Sequence, residues 1–248
     1  MPSAAASLIA LALTATQAPE AGCVAESGRD RLHLVELYTS EGCSSCPPAE
    51  RWMSSLVGDD TQVGLEFHID AWDSLGWPDP FADPRWSDRQ RRLAERGSAG
   101  IVYTPQIAVD GQIWKNWPAK PAPTVAIVAR PALRVAVVRE HGLRATIDGE
   151  AKVPATFRTF VALTENGLAS EVAAGENRGK RLAHDQVVRD FAGPLDFPHA
   201  EATLDTPPRF DASKAAVVAF AENADGDVVQ IVRLALANCP LTATTEPP

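Results

Sequence analysis

Residues 31–56 read RLHLVELYTSEGCSSCPPAERWMSSL. The opening run, Arg31 to Tyr38, carries Leu32, Leu34, Val35 and Leu37 and reads as a mostly buried strand. Thr39-Ser40-Glu41-Gly42 follow, then Cys43-Ser44-Ser45-Cys46, Pro47-Pro48, and a stretch of helical composition from Ala49 to Leu56. Proline is tolerated in the first turn of a helix, where its missing N–H would have had no intrahelical partner. The cysteine pair therefore falls at a strand-to-helix junction. A Cys-x-x-Cys pair is either half of a zinc site or a redox couple. Structural zinc takes four ligands, usually including a second close pair, and the remaining cysteines, Cys23 and Cys239, are remote. At a helix start, free N–H groups and the helix dipole stabilise a thiolate. Cys43 is thus the expected exposed nucleophile, and Cys46, inside the first turn, the expected resolving cysteine. Two other uses stay open: a fixed structural disulfide, or a soft-ion carrier in which Cys43, Cys46 and His68 hold Cu(I), an ion that thiolates favour.

Working outward, a second strand is expected from Val63 to Ile69. An irregular stretch rich in Trp, Asp and Pro (Asp70–Pro84) precedes a charged helical pattern over Trp86–Arg96. Gln106–Val109 and Gln112–Trp114 flank Asp110-Gly111, a hairpin signal. Pro105 cannot donate to a sheet ladder, so it belongs at the first residue of its strand. Past Pro131 the texture changes. Short apolar runs recur at Leu133–Val138, Leu143–Ile147, Phe157–Leu163, Val187–Phe191, Ala215–Ala221 and Val228–Leu236, separated by turn signals such as Asn166-Gly167 and Asp225-Gly226. Such spacing predicts an antiparallel sandwich.

The cysteine pair followed by Thr104-Pro105 resembles the thioredoxin superfamily, and TPQIAVDG (104–111) looks most like the corresponding glutaredoxin segment. That resemblance implies a thioredoxin-like α/β domain, a central mixed sheet flanked by helices. It also implies a cis bond at Pro105 beside the cysteines, with the Thr104 backbone free to pair with a substrate chain. More narrowly, VELYTSEGCSSCPPAE (35–50), HIDAWDSLGWPDPF (68–81), VYTPQIAVDG (102–111) and GENRGKRLAHDQVVR (175–189) resemble a bacterial family of exported thioredoxin-like proteins known as a domain of unknown function. Two departures stand out. Gly42 occupies the place of an aromatic residue, and Glu36, the candidate proton acceptor for Cys46, is one residue further from the pair than in thioredoxins. The expected organisation is a signal peptide over 1–22, a thioredoxin-like domain over 30–130, a β-rich sandwich-like domain over 132–240 and a disordered tail over 241–248.

The formal charge of −9 repels phosphate backbones and excludes nucleic acid as a natural partner. The first 18 residues, MPSAAASLIALALTATQA, carry no charge, and their apolar run (Leu8 to Leu13) is too short to span a bilayer. With small residues after it, this reads as a secretory signal, implying a periplasmic or secreted protein without a membrane span in the mature chain. In such an oxidising compartment Cys23 and Cys239 can bridge. Trp72 and Trp77 lie in the 70–84 insertion, either as a wall gripping peptide or as a lid on the protein's own core. His68, Asp70 and Asp73 read as solvated or capping groups, so no metal and no cofactor is expected. In the second half Glu176, Asn177, His184 and Asp185 are the notable polar residues, with His184 expected to be structural. The function expected from all this is a cell-envelope thiol–disulfide oxidoreductase. It would act on protein or peptide thiols and disulfides with a redox partner of its own. A binding or assembly protein holding a structural Cys43–Cys46 disulfide is the alternative.

Overall fold

The computed structural model describes residues 23–97, 99–119 and 129–241. The expected signal segment 1–22 and the tail beyond Leu241 lie outside them. Described in chain order are β1 (Cys23–Glu26), β2 (His33–Thr39), α1 (Pro47–Ser54), β3 (Gln62–His68), α2 (Pro84–Gly97), β4 (Gln106–Val109) and β5 (Gln112–Ile113). The second half adds β6 (Ala132–Arg139), β7 (Leu143–Glu150), β8 (Phe157–Glu165), β9 (Leu168–Glu171), β10 (Arg181–His184) and β11 (Val187–Leu195). It ends with β12 (His199–Leu204), β13 (Ala215–Asn223) and β14 (Val228–Ala235).

This overturns the expected fold class. The protein is mainly β: fourteen strands and two α-helices among the described residues, not a helix-flanked thioredoxin-like unit followed by a separate sandwich. One eight-stranded sheet, in the order β14-β13-β8-β11-β3-β2-β4-β5, takes strands from both halves of the chain. The halves meet where β11 lies parallel to β3, Val187 opposite Glu66, and the Glu66 amide donates to the Gln186 carbonyl at 2.9 Å. A second sheet, β1-β6-β7-β12, incorporates the N-terminal strand through antiparallel pairing of β1 with β6.

The physical reason lies in burial. In β6 and β7 buried and half-exposed residues alternate, as one covered face requires. Strands β8, β13 and most of β14 are buried on both faces. Their Val161, Leu163, Val217 and Ala219 pack on the second sheet through Val135, Val137, Leu143 and Ile147. Their Phe160, Val218, Phe220 and Ile231 face the other way, onto Phe67 of β3 and Trp86 and Leu93 of α2. Strands covered on both sides must be interior to a larger assembly.

Helix α2 buries Trp86, Leu93 and Ala94 at helical spacing, with the polar Arg89 and Gln90 on the same buried face. Arg89 Nε donates to Glu36 Oε1 at 2.7 Å, and its second amino group reaches Glu222 Oε1 at 3.1 Å. Its guanidinium lies 5.0–5.9 Å from the rings of Phe67, Phe160, Phe191 and Phe220. The smaller helix α1 covers the opposite face of β2 and β4, packing Ala49, Trp52 and Met53 on Val35, Leu37, Ile107 and Val109.

The β4–β5 turn carries positive φ at Asp110 (52°) and Gly111 (84°), which a two-residue hairpin loop demands. The Asp110 carboxylate accepts from the Leu34 amide at 2.9 Å and pairs with Arg31 at 2.6 Å. A Cβ at Gly111 would stand 2.3 Å from the Gly226 carbonyl, so the turn is wedged against the β13–β14 connection.

Candidate functional site

Strand β2 delivers the chain to Glu41-Gly42 and the cysteine loop, and α1 starts at Pro47 immediately after it. Cys43 and Cys46 are disulfide-bonded with Cα atoms 5.5 Å apart. Cys46 caps the helix through its carbonyl, which accepts from the Ala49 amide at 2.8 Å. Pro47 and Pro48 have no N–H, so the first two helical positions offer no donor to a thiolate, contrary to the simple helix-start expectation. The group that reaches Cys43 Sγ is the Ser45 hydroxyl, at 3.3 Å. Ser45 Oγ also donates to the Thr104 carbonyl at 3.4 Å, which joins the cysteine loop to the Thr104-Pro105 turn, where the peptide bond is cis. Trp72 Nε1 donates to Thr104 Oγ1 at 2.9 Å and fastens the same turn from the other side.

Cys43 was expected to be exposed, but both cysteines are buried, Cys43 at 1% and Cys46 at 0% of full exposure. The cover comes from the segment between β9 and β10. Asn177, fully buried, donates through Nδ2 to the carbonyls of Glu41 and Cys43, both at 2.9 Å. Glu176 accepts from the Ser44 amide at 2.9 Å, and hydrogen bonding from the Ser44 side chain and then its amide holds the carboxyl below the usual range. Gly42 completes the closure, since a Cβ there would meet Trp72 Cβ at 2.7 Å.

Glu36 does not serve the pair. Successive residues of a strand point to opposite faces. Val35, Leu37 and Thr39 turn toward α1, while Glu36 turns toward α2, where Arg89 and the Tyr38 hydroxyl bind it. The carboxylate one turn along from Cys46 is Glu50, whose own amide bonds the Cys46 carbonyl at 3.2 Å. Thr39 Oγ1 donates to Glu50 Oε1 at 2.7 Å. Burial, with the charge of Glu66 added, pushes Glu50 up to about 7.

Beneath the cysteine loop lies a buried polar network whose members are scattered along the sequence. His68 lies between Asp79 Oδ2 (2.8 Å) and Glu66 Oε1 (3.0 Å), and His184 lies between Glu66 Oε1 and Glu41 Oε1 (both 3.0 Å). Burial pulls both imidazoles down, but their carboxylate partners outweigh it, raising His68 and lifting His184 to about 9. Asp79 and Glu66 move below the usual carboxylate range despite burial, because the histidines hold their charged forms. Both ring nitrogens of His68 are thus taken by carboxylates rather than by the cysteines, and Asp185 instead accepts from the Gly167 amide. A signal for this network was available: Glu66-x-His68 on β3 puts both side chains on one face. Trp77 Nε1 donates to Glu41 Oε2 at 2.8 Å, so both insertion tryptophans act as braces.

Cys23 and Cys239 form a second disulfide, Cα atoms 5.4 Å apart. No helix among the described residues is long and apolar enough to cross a membrane.

Fold and site together define a mainly β protein with a covered disulfide at a strand-to-helix junction above a buried histidine–carboxylate network. The chain belongs to the family described as Protein of unknown function (DUF1223), whose profile matches residues 34–222. It is similar in structure to protein AGR_C_4864 from Agrobacterium tumefaciens, with a TM-score of 0.57 and 21% identity, over 89% of this chain and 99% of that one. It is also similar to HBP35 of Porphyromonas gingivalis, with a TM-score of 0.61 and 14% identity, over 90% of this chain and 80% of that one. At these identities the likeness is one of fold. Among curated proteins no match is found.

Proposed function

We propose that the protein is a thiol–disulfide oxidoreductase of the cell envelope, with Cys43 attacking and Cys46 resolving. The observation that carries this reading is the contact of the Ser45 hydroxyl with both Cys43 Sγ and the Thr104 carbonyl, which sets the pair against the Thr104-Pro105 turn. That juxtaposition is the local arrangement that the thioredoxin resemblance implies, here carried on a different overall fold. In the reducing direction the Cys43 thiolate attacks one sulfur of a substrate disulfide. The substrate S–S bond breaks, a mixed disulfide forms, and one substrate thiolate leaves. Cys46 then attacks the Cys43 sulfur, releasing the second substrate thiolate and leaving the Cys43–Cys46 disulfide, so two electrons pass to the substrate. The reverse sequence inserts a disulfide.

Substrates are protein or peptide thiols and disulfides. A groove of about 240 Å³ beside the turn, lined by Trp72, Val102, Tyr103 and Thr104 with Gln90 and Arg91, suits a peptide segment. Val102 and Tyr103 are 45% and 40% exposed there. A periplasmic or secreted location is the setting in which two disulfides persist.

A second reading, a binding protein with a fixed disulfide, is favoured by the burial of both cysteines under Asn177. The Cys46→Ser variant separates the two. An oxidoreductase accumulates mixed disulfides through Cys43, because nothing resolves them, and these release on reduction. If Cys46→Ser traps nothing while the folded wild-type chain fails to exchange with a disulfide peptide, the fixed-disulfide reading holds instead.

A further inference from the structure

The network under the cysteine loop has an arrangement that hydrogen bonding alone explains poorly. Four ring nitrogens belong to His68 and His184, and every one faces a carboxylate oxygen. If each contact is a hydrogen bond to an ionised carboxylate, both rings are imidazolium cations. Two such cations, with ring centroids 4.7 Å apart and side chains wholly buried, would both aim protons at the single atom Glu66 Oε1. Glu66 Oε2, equally buried, has no hydrogen-bond partner among the described residues. An unpartnered buried carboxylate oxygen is costly, and two crowded cations add to that cost.

We infer that His68 Nε2, His184 Nδ1 and the Glu66 carboxylate, with Glu50 as a fourth ligand, bind a divalent first-row transition ion of the zinc type. The three inner ligand atoms lie within 4.8 Å of one another. Glu50 Oε2 approaches His184 Nδ1 at 3.9 Å. Ligands about 2.0–2.2 Å from one tetrahedral ion stand about 3.3–3.6 Å apart, so small rotations that draw these atoms together complete the set. The neutral imidazoles then present lone pairs inward, Glu66 Oε2 gains its missing partner, and one ion supplies the charge that two protons would otherwise bring.

The outer contacts carry the same signature. His68 Nδ1 donates to Asp79, and His184 Nε2 donates to Glu41, which is the carboxylate–histidine pairing that orients metal-bound imidazoles. Those carboxylates are fixed in turn. Asp79 accepts from the amides of Glu41 (2.8 Å) and Phe81 (2.9 Å), and Glu41 accepts from Trp77. Two imidazoles and two carboxylates form a nitrogen–oxygen set suited to Zn(II) rather than to Cu(I). The cysteines take no part, so the site is distinct from the redox pair above it.

The test uses the full chain, stripped by chelator and kept oxidised so that no thiolate can bind metal, and titrates it with Zn(II) alone. One ion per chain is expected by calorimetry and elemental analysis, with a rise in Tm. Co(II) in the same site should give the ligand-field absorption of a nitrogen–oxygen set without a thiolate charge-transfer band. Glu66→Gln should lose the one-to-one binding. Should that variant not fold, Asp79→Asn, which alters only an outer partner, should weaken binding by about 10–100-fold. A folded wild-type chain that takes up no stoichiometric Zn(II) would overturn the inference. So would unchanged binding in both variants.

Discussion

Asn177 lies far from Cys43 in sequence, yet it is the bolt on the cysteine loop, and removing it gives a quantitative forecast. Its Nδ2 makes two buried hydrogen bonds, to the Glu41 and Cys43 carbonyls, and Lys180 holds its Oδ1 at 2.8 Å. A reagent can reach Cys43 only after this segment lifts, because the sulfur's residue is 1% exposed when closed. Each bond contributes about 0.5–1.5 kcal/mol net, so the Asn177→Ala variant should open more easily by about 1–3 kcal/mol. At about 1.4 kcal/mol per factor of ten, reduction of the Cys43–Cys46 bond by dithiothreitol should accelerate by about 5–150-fold. The assay quenches timed samples with an alkylating reagent and counts labelled cysteines by mass, and the Cys23–Cys239 bond serves as an internal control whose rate should not change. A folded variant whose Cys43–Cys46 bond is reduced at the wild-type rate would refute the covering role.

Arg89→Ala should destabilise the protein by about 3–5 kcal/mol in urea denaturation, since Glu36 and Glu222 would remain buried without their partner. Because Arg89 links α2 to β2 and β13, the unfolding should stay a single transition, and two separated transitions would speak against one shared core. Replacing Cys23 and Cys239 together by serine should lower stability by about 5 kcal/mol in the chain-entropy model, given a loop of 216 residues, while leaving the reactivity of the Cys43 pair unchanged. Gly111→Ala should cost stability as well, because its positive φ and the adjacent Gly226 carbonyl exclude a side chain. A thermal midpoint within 1 °C of wild type (about the scatter of such scans) would show that the hairpin yields there; about 1 kcal/mol moves Tm by about 2–4 °C in a chain of this size.

How much of this was legible in the sequence depends on whether the signal was local. The Pro47-Pro48 helix start and the Asp110-Gly111 turn are written in adjacent residues, and both are found where they were read. The single large sheet was not legible, because β8, β13 and β14 are apolar on both faces. A short apolar run does not reveal whether its second face meets another sheet or a helix. The role given to Glu36 failed for a geometric reason: one residue of spacing reverses a strand side chain's face, and position 36 looks at Arg89. The histidine–carboxylate network draws on the β2–α1 loop, β3, the 70–84 insertion and β10, so only folding assembles it. Its single local trace is the Glu66-x-His68 alternation.

The claim that matters most is that the Cys43–Cys46 bond is made and broken in use. It is tested most directly by its reduction potential, measured by equilibrating the full chain in glutathione buffers of graded ratio and quantifying the pair by differential alkylation. The redox role predicts a value between about −120 and −270 mV, the span of working oxidoreductases. A value below about −300 mV, where structural disulfides lie, would contradict it.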